Sequence, residues 1–200
     1  KIMGYFGSTD AKVIGFTATP FRGNKLMTNI FEKVAFTMSM QELIDKKYLV
    51  KPRLHLTEFN PLDQVGMFLN IVDIHKKYHS KSKGVVYLKT IEDCKMLRNI
   101  LQQSGINASA VTSDIDKEIR DKILTDFREK DDLQILVTCD VLTAGFDSPN
   151  IETIYMPFKV NSVTTYLQRV GRGLRIMEGK DCCHLYVGSD SPGIKKGFWE

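Results

Sequence analysis

The run Gly84-Val85-Val86-Tyr87-Leu88 is apolar at consecutive positions, with no polar side chain alternating through it. A strand with one wet face would alternate, so a strand apolar on both faces has to be covered on both. Leu133 to Thr138, Ile151 to Met156 and His184 to Val187 read as further strands, and Ala108 to Val111 as another. Between them the period changes from two to nearly four. Val65, Phe68, Leu69, Val72 and Lys76 fall at helical spacing, and Ile115, Ile119, Ile123 and Phe127 recur every four residues. Thr90 and Asp93 have capping-box spacing ahead of Cys94, Leu97 and Leu101, a helix that Gly105 ends. Thr164 to Val170 reads as one more helix. Buried strands alternating with amphipathic helices predict an α/β fold, a parallel sheet flanked by helices on both faces.

The rhythm is different before Asn60-Pro61, which is read as a domain boundary. Val13 to Phe16 is a short apolar run ending at Thr17 and punctuated by Pro20 and Gly23, as in a strand feeding a loop. Ser39-Met40-Gln41-Glu42 spaces a capping box and starts a short helix. After Pro52, Arg53 to Phe59 reads as an extended connector. A length of 200 residues suits one domain, or one domain with a fragment of another. Lys1 stands where an initiator Met would, so a chain cut from a longer one is expected.

No stretch is apolar for long enough to cross a bilayer, and the first residues lack the pattern of a signal peptide. The four cysteines, Cys94, Cys139, Cys182 and Cys183, form no CxxC pair and have no histidine at metal spacing. They are read as reduced thiols of a cytosolic type of compartment (cytoplasmic, nuclear or a viral replication site) with no zinc. A formal charge of +4 permits a local basic stripe for nucleic acid without arguing for one.

Open parallel sheets work at the carboxyl ends of their strands, and the unusual residues sit there. In Gln168-Arg169-Val170-Gly171-Arg172-Gly173-Leu174-Arg175, the last two arginines are three apart and share a face if the helix continues. Gly171 and Gly173 interrupt that helix and let a backbone or ligand approach closely. The arginines are either a solvated basic face or a site for phosphates or carboxylates. Asp147, in the turn made by Gly145 and Pro149, is either an Asx-turn or cap, or a carboxylate that takes a ribose hydroxyl or an arginine. His75 and His79 have i, i+4 metal spacing without a third ligand, and are read as the polar side of their helix. Lys76-Lys77, Lys81-Lys83 and Lys195-Lys196 are read as solvated surface, and Phe158 and Tyr166 as core.

Taken in order, these segments resemble a family. GFTATPFR (15–22) resembles motif III of the superfamily 2 helicases, VVYLKT (85–90) motif IV, ILVTCDVLTAGFDSPN (135–150) motif V and YLQRVGRGLR (166–175) motif VI. Gln168 in place of His, and Thr143-Ala144-Gly145-Phe146-Asp147 in place of an Arg-Gly pair, set it apart from the DEAD-box RNA helicases. The pattern is similar to the branch holding type I and III restriction subunits and DNA-repair helicases. The resemblance implies a RecA-like fold, with 1–38 the end of a first RecA-like domain, 39–60 a linker and 61–200 the second domain.

It also implies roles. Arg172 and Arg175 would be arginine fingers toward ATP held by the first domain, and Gln168 would sense nucleotide beside them. Gly145 and Asp147 would sit by the ribose or triphosphate, and Thr17 and Thr19 would relay nucleotide state. Thr90, Thr112, Ser113, Thr138 and Thr143 would contact the tracked strand. Ala144 and Cys139 depart from the common residues of motif V. With no GxxxxGK[ST] and no Walker B pair in the chain, ATP and Mg2+ would be held mainly by the first domain of the same polypeptide. The expected function is an ATP-dependent helicase or translocase working on nucleic acid, DNA rather than RNA. The alternatives are a restriction-type duplex translocase and a nucleic-acid-binding module without turnover. A Rossmann-like methyltransferase is disfavoured, because Gly84 precedes its strand instead of following it.

Overall fold

A computed structural model describes residues 14–17, 21–22, 25–26, 33–60, 62–139, 142 and 146–188. In chain order its elements are β1 (Phe21–Arg22), β2 (Lys25–Leu26), α1 (Met40–Asp45), β3 (Lys51–Thr57), α2 (Gln64–Tyr78), β4 (Lys83–Tyr87), α3 (Ile91–Gln103) and β5 (Ala108–Val111). They continue with α4 (Lys117–Glu129), β6 (Ile135–Thr138), β7 (Ile151–Met156), α5 (Val163–Gly173) and β8 (Cys182–Gly188). β1 and β2 pair antiparallel. The other six strands form one sheet in the order β3-β8-β7-β4-β6-β5, each pair parallel.

The apolar strands lie where their composition requires. β4, β6 and β7 occupy the middle, and Val85, Val86, Ile135, Leu136, Val137 and Ile154 are all fully buried. One core joins Phe68, Ile71, Leu97, Leu101 and Val137 under α2 and α3. The other joins Leu136, Phe127, Ile154, Val170 and Leu185 under α4 and α5. This is the RecA-like arrangement, a parallel sheet with helices on both faces.

The helices start as their capping residues predict. The Ser39 hydroxyl accepts from Glu42 N while the Glu42 carboxylate takes Ser39 N, a complete capping box. The Thr90 hydroxyl accepts from Asp93 N. Gly105 closes α3 at φ +80°, a left-handed conformation in which Ile106 N reaches back to the Leu101 carbonyl.

Three local expectations change. Arg53 to Phe59, read as a connector, is largely β3, which pairs with β8 over seven residues from Lys51↔Cys182 to Thr57↔Gly188. Its exposed Arg53, Leu54 and Leu56 are those of an edge strand, so the sequence lacks the apolar signature of its neighbours. On α4 the stripe runs through Leu124 and Phe127, and Ile119 is exposed.

His75 and His79 are not on a polar side of α2 but buried in its inward stripe with Phe68, Ile71 and Val72. Val65 and Leu69 face out instead. All four histidines of the chain gather here. A ring nitrogen of His75 meets the Tyr155 hydroxyl at 3.2 Å, and one of His79 meets that of Tyr186 at 2.8 Å. His55 and His184 approach each other at 2.9 Å on the neighbouring strands. The tyrosine hydroxyls each supply a polar partner to one ring nitrogen of a buried imidazole, while Nε2 of His75 is buried without one.

Burial holds His75 and His79 down at about 4, with the other histidines adding to the effect on His79. The folded values lie below the ordinary 6.5, so the unfolded chain takes up protons first as the pH falls. Stability should therefore be complete above pH 6.5 and drop as the pH falls toward 4. Urea unfolding at a series of pH values should show this slope, and His75→Phe should make it shallower. At Gly173, an added Cβ would stand 2.4 Å from Cys183 Sγ and 2.8 Å from Ile154 Cδ1. Gly173→Ala should cost about 1–3 kcal/mol of stability by overpacking, read from the denaturation midpoint.

Candidate functional site

Ser162 caps α5, its hydroxyl accepting from Thr165 N at 3.2 Å. Tyr166 and Val170 turn the helix's apolar face into the core beneath it. The helix does not continue to Arg175. It stops at Gly173, the Leu174 carbonyl accepts from Val50 N at 2.8 Å, and Arg175 forms a bridge with Leu49. Arg172 and Arg175 therefore do not share a helical face as their spacing suggested. Nor do Gly171 and Gly173 interrupt the helix; both lie within it, Gly173 where it comes nearest the sheet.

The two arginines nevertheless converge on one loop. Arg172 donates to the Phe146 carbonyl at 2.6 Å and to the Leu142 carbonyl at 2.8 Å. Arg175 forms an ion pair with Asp147. Of the two readings open for Asp147, its partner is an arginine.

That loop is anchored from below. Phe146 packs beside Phe127 with ring centroids 6.4 Å apart, and Asn150 Nδ2 donates to the carbonyls of Phe127 and Arg128 at the end of α4. Ser148, buried, donates to Asn150 Oδ1 at 2.6 Å. Beneath α5, burial pushes the Tyr87 phenol up to about 12 against the pull of Arg172 and Arg169, so it stays neutral. Gln168 is exposed on α5. Gly145, Thr143 and Thr19 lie outside the described residues, and Thr17 is exposed.

The opposite rim divides. Thr90 and Ser113 are exposed at the ends of β4 and β5. Thr112 is buried and donates to Asp114 Oδ1 at 2.5 Å. Thr138 is fully buried because it ends a central strand, paired with Tyr87 on one side and Val111 on the other. Of the five hydroxyls expected to contact the tracked strand, Thr143 lies outside the described residues, and Thr112 and Thr138 are buried away from a surface contact, because the width of the sheet was not visible in the sequence.

Sequence reasoning also missed a cleft of about 300 Å3 between the end of β4 and the start of α5, lined by Tyr87, Lys89, Phe158, Lys159, Asn161 and Arg169. The Lys89 ammonium lies 4.5 Å from the Phe158 ring centroid, and the Arg169 guanidinium 4.8 Å from that of Tyr87. Phe158 is half-buried and packs against the core, and Tyr166 is buried. All four cysteines are free thiols. Among the described residues no group of three or more His, Cys, Asp or Glu is arranged to hold a metal, and no helix is long and apolar enough to cross a membrane.

Comparison with known proteins places this geometry. Residues 64–177, more than half of the chain, match the family model described as the helicase conserved C-terminal domain. IRC3 of Saccharomyces cerevisiae, which carries the name of an ATP-dependent helicase, is 28% identical over 97% of this chain and 32% of its own length. The chain thus spans about a third of that relative. Further relatives bear the names of DNA helicases and of RNA helicases. Among solved structures, a fragment assigned to the HsdR subunit of a type I restriction enzyme from Vibrio vulnificus superposes with a TM-score of 0.74. It is 24% identical, covering 88% of this chain and 39% of that one, a likeness of fold.

The two arginines differ in what they hold. Arg175 and Asp147 are both substantially exposed, at 40% and 58% of their side chains, and such pairs contribute at most about 1 kcal/mol. Arg175→Ala should therefore shift the denaturation midpoint little. Arg172→Ala leaves two carbonyls without their donor and should cost about 1.5–3 kcal/mol, measured the same way.

Proposed function

The chain belongs to the helicase conserved C-terminal domain family, and on that footing we propose that it is the second RecA-like domain of an ATP-dependent superfamily 2 motor, joined by the chain that precedes β3 to a first domain that holds the nucleotide, because β3 itself belongs to this sheet and the boundary expected at Asn60-Pro61 falls too late. The observation that supports this most is the convergence of Arg172 and Arg175 on the 146–150 loop at the carboxyl end of the sheet. Two guanidiniums presented together match the charge of a triphosphate.

The residues fit that group. The Asp147 carboxylate holds Arg175 at the surface through a weak pair, so phosphate oxygens can replace it at small cost. Arg172 is oriented by two backbone carbonyls, which fix its direction. ATP with Mg2+, held mainly on the first domain, would supply the phosphoryl bond to be cleaved. Charge placed against a transferring phosphoryl group by arginines is worth ~10³–10⁵ in rate in related systems. Gln168, exposed one turn before Arg172, is assigned to nucleotide sensing at the same face.

Thr90 and Ser113 are assigned to phosphates of the tracked strand, which hydroxyls position without reading sequence. DNA is favoured over RNA because Gln168 and the Thr143–Asp147 phrase follow the restriction and repair branch. A cytoplasmic, nuclear or viral setting suits four unbridged thiols.

The test is ATP hydrolysis by the full-length protein with duplex DNA, single-stranded DNA or RNA added. Turnover should rise with DNA and fall at least about 10³-fold in Arg172→Ala and Arg175→Ala, the lower bound for arginine fingers. Arg175→Ala carries the decisive weight, since its fold is expected to be intact. Stimulated turnover that survives both substitutions would exclude the arginine roles. A folded parent without stimulated turnover would leave a binding module.

A further inference from the structure

Lys180 is 8% exposed, and its ammonium donates to three backbone carbonyls: Gly173 at 2.7 Å, Pro149 at 2.8 Å and Arg175 at 3.0 Å. A buried cation of this kind needs compensation, and no carboxylate among the described residues forms a salt bridge with it. The three carbonyls compensate it instead. That of Gly173 is the last of α5, where the final carbonyls of a helix lack intrahelical donors and the helix dipole favours positive charge, and that of Arg175 follows just beyond the helix end. The Pro149 carbonyl belongs to the loop carrying Phe146 and Asp147. A tight reversal brings Lys180 back under both: Lys180 N donates to the Met177 carbonyl, and Gly179 adopts φ +78°.

We infer that Lys180 is a positioning residue for the arginine pair, a three-way clamp that fixes the end of α5 against the 146–150 loop and so sets where Arg172 and Arg175 point. The inference rests on the arginine roles proposed above. Arg172 lies one residue before one clamped carbonyl, and Arg175 supplies another. Their partners Phe146 and Asp147 lie three and two residues before the third. A lysine suits the position because its ammonium can aim three donors at three acceptors arranged around a point.

A second buried lysine gives an internal control. Lys83 is equally enclosed, at 7% exposed, and donates to the carbonyls of Phe127 and Lys130 at the end of α4. It touches neither arginine and reaches the 146–150 loop only at second hand, through the Phe127 carbonyl that Asn150 also holds. Lys83→Met and Lys180→Met therefore remove the same chemistry, but only Lys180→Met releases the end of α5.

The experiment compares both variants in the full-length protein by nucleic-acid-stimulated ATP hydrolysis and by hydrogen exchange. Lys180→Met should lower kcat about tenfold to a hundredfold, as misplacement by an ångström does, with KM for ATP little changed. Lys83→Met should keep kcat within about twofold of the parent, because the end of α5 keeps its clamp and the loop keeps Asn150. On an Arg172→Ala/Arg175→Ala background Lys180→Met should cost nothing more, because it acts through the two arginines. Exchange should quicken at 146–150 and 173–176 in Lys180→Met, and at 173–176 in that variant alone. Parental kcat in Lys180→Met, or its full loss repeated on the doubly substituted background, would overturn the positioning role. Unchanged exchange in both segments would overturn the clamp itself. Quickened exchange in a protein whose turnover ignores Arg172 would uphold the clamp and overturn the arginine roles.

Discussion

Where α5 lies against β7 and β8, Gly173 leaves a gap that Ile154 and Cys183 fill. A methyl group there would force the helix away from the sheet, and the end of α5 would move with it. Leu174, fully buried, and the Val50 amide on its carbonyl continue the same contact beyond the helix. Arg172 lies just before this contact and Arg175 just after it. The direction of both guanidiniums is thus inherited from the packing of a helix on a buried sheet, a stiff reference because cores of this density resist small displacements.

The opposite wall is built by equally local means. The chain from Phe146 to Asn150 has little regular structure, yet its Phe146 ring packs beside Phe127 and its Asn150 amide holds two carbonyls at the end of α4. Main-chain carbonyls then orient Arg172, and a side-chain carboxylate holds Arg175. The difference matters. A guanidinium held by backbone is fixed in place, whereas one held by an exposed carboxylate is poised to exchange partners. The site thereby combines one rigid and one replaceable contact within a few residues.

Much of this was legible beforehand, and particular residues show why. Val85 to Leu88 could only be a strand covered on both faces. Ser39 and Thr90 marked helix starts through local hydrogen bonds that need no tertiary partner. The arginines and Asp147 stood out because glycine and charge are uncommon together after apolar runs. The failures also have causes. β3 was obscured because an edge strand has no apolar signature, and the histidines because two imidazoles look polar until tyrosines across the sheet provide partners. Lys180 was passed over because nothing near it in sequence reveals that three carbonyls, all of them five or more residues away, converge on one point.

The sequence by itself determined the α/β class, the order of the central elements, the family pattern and the identity of the charged groups. Each of these follows from periodicity or from side-chain chemistry within a few neighbouring residues. Only the tertiary structure decided which of those groups meet. It ended α5 at Gly173, two residues short of Arg175, and turned both arginines toward the same loop. It also buried Thr112 and Thr138 while leaving Thr90 and Ser113 exposed. The physical reason is that strand order and helix docking are set by contacts between residues far apart in the chain. No local pattern encodes the distance between two such residues.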